Sequence, residues 1–178
     1  LFFFQSNSLV LQLLKTEILN NKNLNFNAKI NSDKIKNFQS FKRFILNSKI
    51  YEGFVDLDNT SISWNNHVNF TIIDSLIYVK EGELMLSGKL NLIIDDYNKI
   101  YQFLLTPKNY RSEIKKINVN FIYNFDQQTM SLYNIEIDDK TNPKVDNLLN
   151  ILMFKNNTLQ NKIYLKNIFN KAIKSYVG

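Results

Sequence analysis

The sequence predicts a mainly β fold with added helices. It is an α+β chain built on an elongated antiparallel sheet, with short helices between strands and two amphipathic helices at the C-terminal end. Three observations carry this expectation. From Glu83 to Ile94 the residues alternate without a break, placing Leu84, Leu86, Gly88, Leu90, Leu92 and Ile94 on one face, while Glu83, Ser87, Lys89 and Asn91 dominate the other. That is the period of a strand with one apolar side, and a strand of about a dozen residues spans roughly 40 Å. The runs Ile117 to Phe125 and Thr129 to Asp138 flank the short Asp126-Gln127-Gln128 loop and read as a hairpin. After residue 140 the apolar period changes from 2 to 3.6.

In chain order, the opening stretch with Leu9, Leu11, Leu13, Leu14 and Ile18 reads as a strand and then a helix. Leu24, Phe26, Ala28 and Ile30 alternate with Asn25, Asn27, Lys29 and Asn31 as a strand. Ser32 or Asp33 is placed to cap a short helix, expected from Ile35, Phe38, Phe41, Phe44 and Ile45, with Lys34, Lys36, Lys42 and Arg43 outside. Strands are expected at about Ile50 to Asp58, Ser61 to Trp64, Val68 to Ile72 and Leu76 to Lys80, with turns at Asp58-Asn59 and Glu81-Gly82. The long strand then meets Asp95-Asp96, which cap a helix carrying Tyr97, Ile100, Tyr101 and Leu104, stopped by Thr106-Pro107. The order strand, capped helix, strand thus occurs from Leu24 to Asp58 and again from Glu83 to Asp138, as in repeats that extend a sheet.

Residues 1–140 are therefore assigned to this sheet and residues 141–178 to C-terminal helices that pack on the sheet end or lie on a membrane surface. Asn142 can cap the first of these, with Pro143 at its first position and Val145, Leu148, Leu149, Leu152 and Met153 on one side. A polar break at Lys155-Asn156-Asn157-Thr158 precedes the second. Its stripe of Leu165, Ile168, Phe169, Ala172, Ile173 and Tyr176 has Lys162, Lys166, Lys171 and Lys174 largely away from it. Such a basic amphipathic helix either packs on its own domain or rests on a membrane.

Composition narrows the chemistry. At 178 residues, 44% hydrophobic and 13% aromatic, the chain can bury the core of one domain. Four glycines and two prolines leave no Gly-rich phosphate loop, and the absence of cysteine excludes thiol chemistry. His67, the single histidine, lies between Trp64-Asn65-Asn66 and Val68-Asn69-Phe70; it reads as a surface or hydrogen-bonded residue rather than a general base. The pairs Asp95-Asp96 and Asp138-Asp139 are able to hold a cation or act as acid and base. However, the first opens a helix and the second closes a strand. No catalytic residue, metal or cofactor is assigned, and a non-enzyme is expected.

The net charge of +6 suits anionic membranes or nucleic acid. With only Arg43 and Arg111 among scattered lysines, no nucleic-acid partner is expected. No apolar run approaches the ~20 residues that span a bilayer. The chain opens Leu1-Phe2-Phe3-Phe4-Gln5 rather than on Met, and is read as a fragment of a longer protein.

Five stretches carry a family resemblance. Asp74-Ser75-Leu76-Ile77-Tyr78-Val79 leads into Gly82-Glu83-Leu84-Met85-Leu86-Ser87-Gly88-Lys89, and Leu104-Leu105-Thr106-Pro107-Lys108-Asn109-Tyr110-Arg111 follows. Phe121-Ile122-Tyr123-Asn124-Phe125-Asp126-Gln127-Gln128 and Leu159-Gln160-Asn161-Lys162-Ile163-Tyr164-Leu165-Lys166-Asn167 complete the set. Over roughly residues 24 to 178 these resemble the C-terminal region of bacterial AsmA-like envelope proteins, the group with TamB-type relatives.

The resemblance implies a strongly twisted antiparallel sheet forming an open groove or half-barrel. It also implies a periplasmic location, with an inner-membrane anchor upstream of Leu1. The implied activity is non-enzymatic phospholipid transport between inner and outer membranes, in outer membrane biogenesis. The partners it implies are phospholipid, the inner membrane and outer-membrane assembly proteins. The candidate lipid-binding face is Leu84, Leu86, Leu90, Leu92, Ile94, Val119, Phe121 and Tyr123, and the candidate membrane or partner helix presents Leu165, Ile168, Phe169, Ile173 and Tyr176. Sheltering a lipid needs a continuous apolar trough, at ~0.8 kcal/mol per buried CH2, and alternating strands supply one. The competing expectation is that the same residues face the C-terminal helices as a closed core. A second functional expectation is strand addition at an exposed sheet edge during outer-membrane protein assembly.

Overall fold

In the computed structural model, which describes residues 9–35, 39–150, 153–155 and 161–177, the alternating run Glu83–Ile94 is one unbroken strand (β6). The other strands in chain order are β1 (Phe26–Ser32), β2 (Phe41–Tyr51), β3 (Phe54–Asp56), β4 (Ser61–Trp64), β5 (Val68–Lys80), β7 (Lys116–Asn124), β8 (Thr129–Ile137), β9 (Lys140–Thr141) and β10 (Met153–Lys155). All pairings are antiparallel, in the order β1-β2-β3-β5-β6-β7-β8-β10, with β9 against β8. β4 also lies between β2 and β5, so β3 and β4 are two halves of one interrupted strand. The result is a meander that stays open, with β1 at one edge, and does not close into a barrel.

Three strands carry a left-handed residue where the register shifts: Arg43 (φ 50) in β2, Asp74 (φ 52) in β5 and Asn134 (φ 51) in β8. An extra residue of this kind switches which face the following side chains occupy. In β5, Val68, Phe70 and Ile72 share a face with Ser75, Ile77 and Val79; in β8, Met130 and Leu132 share it with Ile135 and Ile137.

The same device corrects the sequence reading around residue 40. Phe41 and Phe44 lie in β2, paired with Trp64 and Ser32, and no helix forms there. Their helix-like spacing of three arises because the bulge at Arg43 brings both to one side of a strand. Phe38 lies outside the described residues, as do the Leu1 to Gln5 opening, Leu152 and Asn156 to Gln160. Among the described residues the expected internal repeat therefore lacks its first helix, and the two strands expected over 68–80 are one. The segment expected to run as a strand from Ile50 to Asp58 instead ends β2, turns at Glu52-Gly53 and forms β3. Gly53 (φ 84) is required there, since a Cβ would stand 2.9 Å from the Asn20 carbonyl oxygen.

A polar clamp holds the break between β3 and β4. Asp58 Oδ1 accepts hydrogen bonds from the Ser75 N–H (2.7 Å) and Ser75 Oγ (2.6 Å), and the Leu57 N–H donates to Ser75 Oγ (2.8 Å).

The helices sit where their caps start them. α1 (Leu9–Lys15) packs on β5 and β6 with Leu11 buried. α2 (Tyr97–Leu104) starts at Asp96, whose carboxylate accepts from the Lys99 N–H, and ends at Leu105 in the left-handed region. α3 (Pro143–Asn150) is capped by Asn142 and tied to β8 through Asp146, which accepts from the Ile135 N–H at 3.1 Å. α4 (Lys162–Val177) lies on α2 and α3. β10 was not foreseen: residues 141–178 add a strand to the sheet as well as two helices, with Phe154 fully buried. Val145, Leu149, Phe154, Ile168 and Ala172 share one core with β7 and β8.

Candidate functional site

The register lines apolar side chains up across the whole sheet. Phe26, Ile50, Val55, Ile77, Leu86, Tyr123, Met130 and Phe154 are successive cross-strand partners from β1 to β10. Parallel rows run through Ile72, Leu90 and Val119, through Ile62, Phe70, Leu92, Ile117 and Ile137, and through Phe41, Trp64, Val68 and Ile94. All eight candidate lipid-contacting residues, Leu84 to Tyr123, therefore share this inner face. Gly88 lies on it too, leaving room for the Phe121 ring, which a Cβ would meet at 3.2 Å.

Cover over this face is graded. Under α1, at the hairpin end, Leu84, Leu86, Ile77 and Val55 are buried. On β7 and β8 the helices close the surface: Val119, Phe121, Leu132, Ile135 and Ile137 are buried. Ile94 and Val68 are buried at the end that runs into α2. Between these covers, Phe41, Phe44, Leu46, Ile62, Phe70, Ile72, Leu90 and Leu92 are only half-buried. On β1 the face is open, with Phe26 56% and Ile30 46% exposed. The candidate set thus divides. Leu84, Leu86, Ile94, Val119 and Phe121 are core, whereas Leu90, Leu92 and Tyr123 border open surface. Burial raises the Tyr123 phenol above its ordinary value of 10.0, so it stays neutral on this face.

The sequence reading missed the open part of the trough on β2, β4 and β5. Its residues straddle the bulges at Arg43 and Asp74, where simple alternation fails. The opposite face is mixed: Asn91 Nδ2 donates to Asn118 Oδ1 (2.7 Å), Asn118 Nδ2 to Glu136 Oε2 (3.2 Å), and Lys89 lies 3.8 Å from Glu136, while Tyr51, Phe54 and Ile93 are exposed on the same side.

The α4 stripe faces its own domain. Ile168 and Ala172 are buried, Leu165, Ile173 and Tyr176 half-buried, and Phe169 is 37% exposed. Burial, with Asp138 nearby, raises the Tyr176 phenol. Exposed apolar surface lies elsewhere on these helices, at Phe103 (49%), Leu105 (75%) and Ile163 (74%).

The polar candidates have structural tasks. His67 stands in the β4–β5 turn, its ring edge against Trp64 and its Nδ1 3.9 Å from Asp96, while Asp96 caps α2. Asp138 accepts from the Lys115 and Lys116 N–H groups, and Asp139 pairs with Lys116 at 2.8 Å. Among the described residues no group of three or more His, Asp or Glu is placed to hold a metal, and no helix is long and apolar enough to cross a membrane. No family model, curated protein or solved structure matches this chain.

Proposed function

We propose that this chain is a non-enzymatic segment of an AsmA-like cell-envelope protein, sheltering phospholipid acyl chains in its apolar trough during inner-to-outer membrane lipid transport. On this reading it works in the periplasm, its parent is anchored in the inner membrane, and its partner is phospholipid. The observation that carries the reading is the half-open row Phe70, Leu92 and Ile72, Leu90, continuous with the exposed Phe26 and Ile30. Contact of this kind is worth up to ~0.8 kcal/mol per methylene removed from water and needs no reacting group.

Charge placed in the trough tests it. Phe70→Glu and Leu92→Glu should strongly reduce crosslinking of phospholipid to the folded protein in cells, while Ser87→Glu on the outer face leaves it unchanged. Full crosslinking by a folded Leu92→Glu protein would remove the proposal.

A second reading is favoured by one feature. β1 is a seven-residue edge strand with exposed apolar side chains, suited to strand addition in outer-membrane protein assembly. It predicts that Phe26→Lys with Ile30→Lys impairs that assembly while phospholipid still crosslinks at Leu92.

A further inference from the structure

We infer that the end of the molecule formed by α2, the turn after it and α4 is a contact surface for an anionic phospholipid bilayer. The inference does not depend on the trough carrying lipid. Residues 97–112 and 161–178 together hold seven Lys and Arg and no Asp or Glu, leaving 15 basic against 16 acidic residues in the rest of the chain. The whole positive excess of the protein is therefore concentrated at one end. The acids that flank these stretches are Asp95 and Asp96, at the N-terminal end of α2, and Glu113, which pairs with Lys115 at 3.4 Å; Asp138 lies near Tyr176.

Apolar side chains project from this cationic surface. Lys166 Nζ stands 4.3 Å from the centre of the Phe103 ring, which leaves Phe103 49% exposed. Ile163, 74% exposed, lies one turn before Lys166 on α4. Leu105 is joined to the same place, since Asn170 of α4 donates to the Leu104 carbonyl and accepts from Thr106 Oγ1.

Leu105 is the most informative of these. It is 75% exposed and held at φ 59 as the residue ending α2. That left-handed position favours glycine or asparagine, and a leucine there is strained while most of its side chain stands in water. An exposed side chain adds little to the fold, whereas a bilayer interface gains an apolar anchor. Lysines around exposed apolar anchors are the composition of a surface that seats at the headgroup level. The anionic bilayer is the occupant that satisfies both the charge and the apolar groups. Phe103 also meets Trp64, at 5.2 Å between ring centres, so this surface adjoins the half-open trough.

The purified 178-residue chain is mixed with phosphatidylcholine vesicles, or with vesicles of phosphatidylcholine and phosphatidylglycerol, and binding is read by flotation. Binding is expected on the phosphatidylglycerol vesicles, weakening as salt is raised. Lys108→Gln and Lys166→Gln should each lower affinity about five-fold, from the ~1 kcal/mol of one lysine near an anionic surface. Leu105→Gly separates the roles: thermal stability should hold or rise while affinity falls by about five-fold or more. Equal binding to both vesicle types would overturn the inference. So would a Leu105→Gly protein that binds as well as the parent, or a chain that ignores vesicles and binds single-stranded RNA instead.

Discussion

At the scale of the residue, Asp126 joins two parts of the molecule. Lys15 of α1 donates to its Oδ1 at 2.6 Å, and the Leu84 N–H of β6 donates to Oδ2 at 2.7 Å. The Lys15 hydrogen bond, helped by the Leu84 N–H and opposed by burial, holds the Asp126 carboxyl below its ordinary value of 3.8. A carboxyl whose folded value is lowered adds stability above its unfolded value and loses it as pH falls through the folded value. The tie between α1 and the sheet should therefore weaken below about pH 5, where the unfolded chain begins to take up the proton. Hydrogen exchange of the α1 amides, corrected for the pH dependence of intrinsic exchange, should show less protection on acidification. Asp126→Asn should flatten the acid limb of the melting temperature between about pH 5 and 3. An unchanged slope would show that Asp126 is not the titrating tie.

At the scale of the element, the bulges decide which strands were legible. β6 carries none, and its observed bounds are those its alternation predicts. The Asp96 cap, the Asn142 cap and the β7–β8 hairpin were also readable, because each rests on local residue chemistry. β2 was not, since Arg43 sets Phe41 and Phe44 three residues apart on one face, the spacing of a helix. β10 was hidden for a different reason: a three-residue strand held by pairing with Thr129 to Ser131 leaves no period to read. The trough residues Phe41, Phe44, Phe70 and Ile72 were lost with the bulged strands, so the site was legible mainly on the regular strands β6 and β7.

The bulge at Asp74 makes a sharp prediction. Asp74→Gly relieves the left-handed strain at an exposed position and should leave stability unchanged or raise it by up to ~1 kcal/mol. Deleting Asp74 removes the parity switch and would turn Val68, Phe70 and Ile72 to the outer side, or Ser75 and Ile77 instead. Urea unfolding should show a near-native midpoint for the substitution and loss of a cooperative transition for the deletion. A cooperative, fully stable deletion would mean that the inner face tolerates either parity.

At the scale of the whole molecule, the graded cover of the sheet implies graded stability. β7 and β8 are buried beneath α3 and α4 with Leu132 at 8% exposure, whereas Phe26 and Ile30 on β1 present half their surface to water. A core leucine cut to alanine loses its transfer energy and leaves a cavity, ~2–5 kcal/mol in all. An exposed side chain loses little, ~0.5 kcal/mol or less. Leu132→Ala should therefore cost several-fold more stability than Ile30→Ala, although both sit on the same face of the same sheet.

Backbone amides should follow the same order. Those of β7 and β8 should exchange with solvent only through global unfolding, and those of β1 and the outer part of β2 through local opening of much lower free energy. Hydrogen exchange with mass spectrometry reads both ends in one experiment. A gradient falling from β8 to β1 is what the graded cover of the sheet predicts. Uniform protection would mean that β1 is held as firmly as the core, leaving its exposed Phe26 and Ile30 no freedom to receive a strand or a lipid.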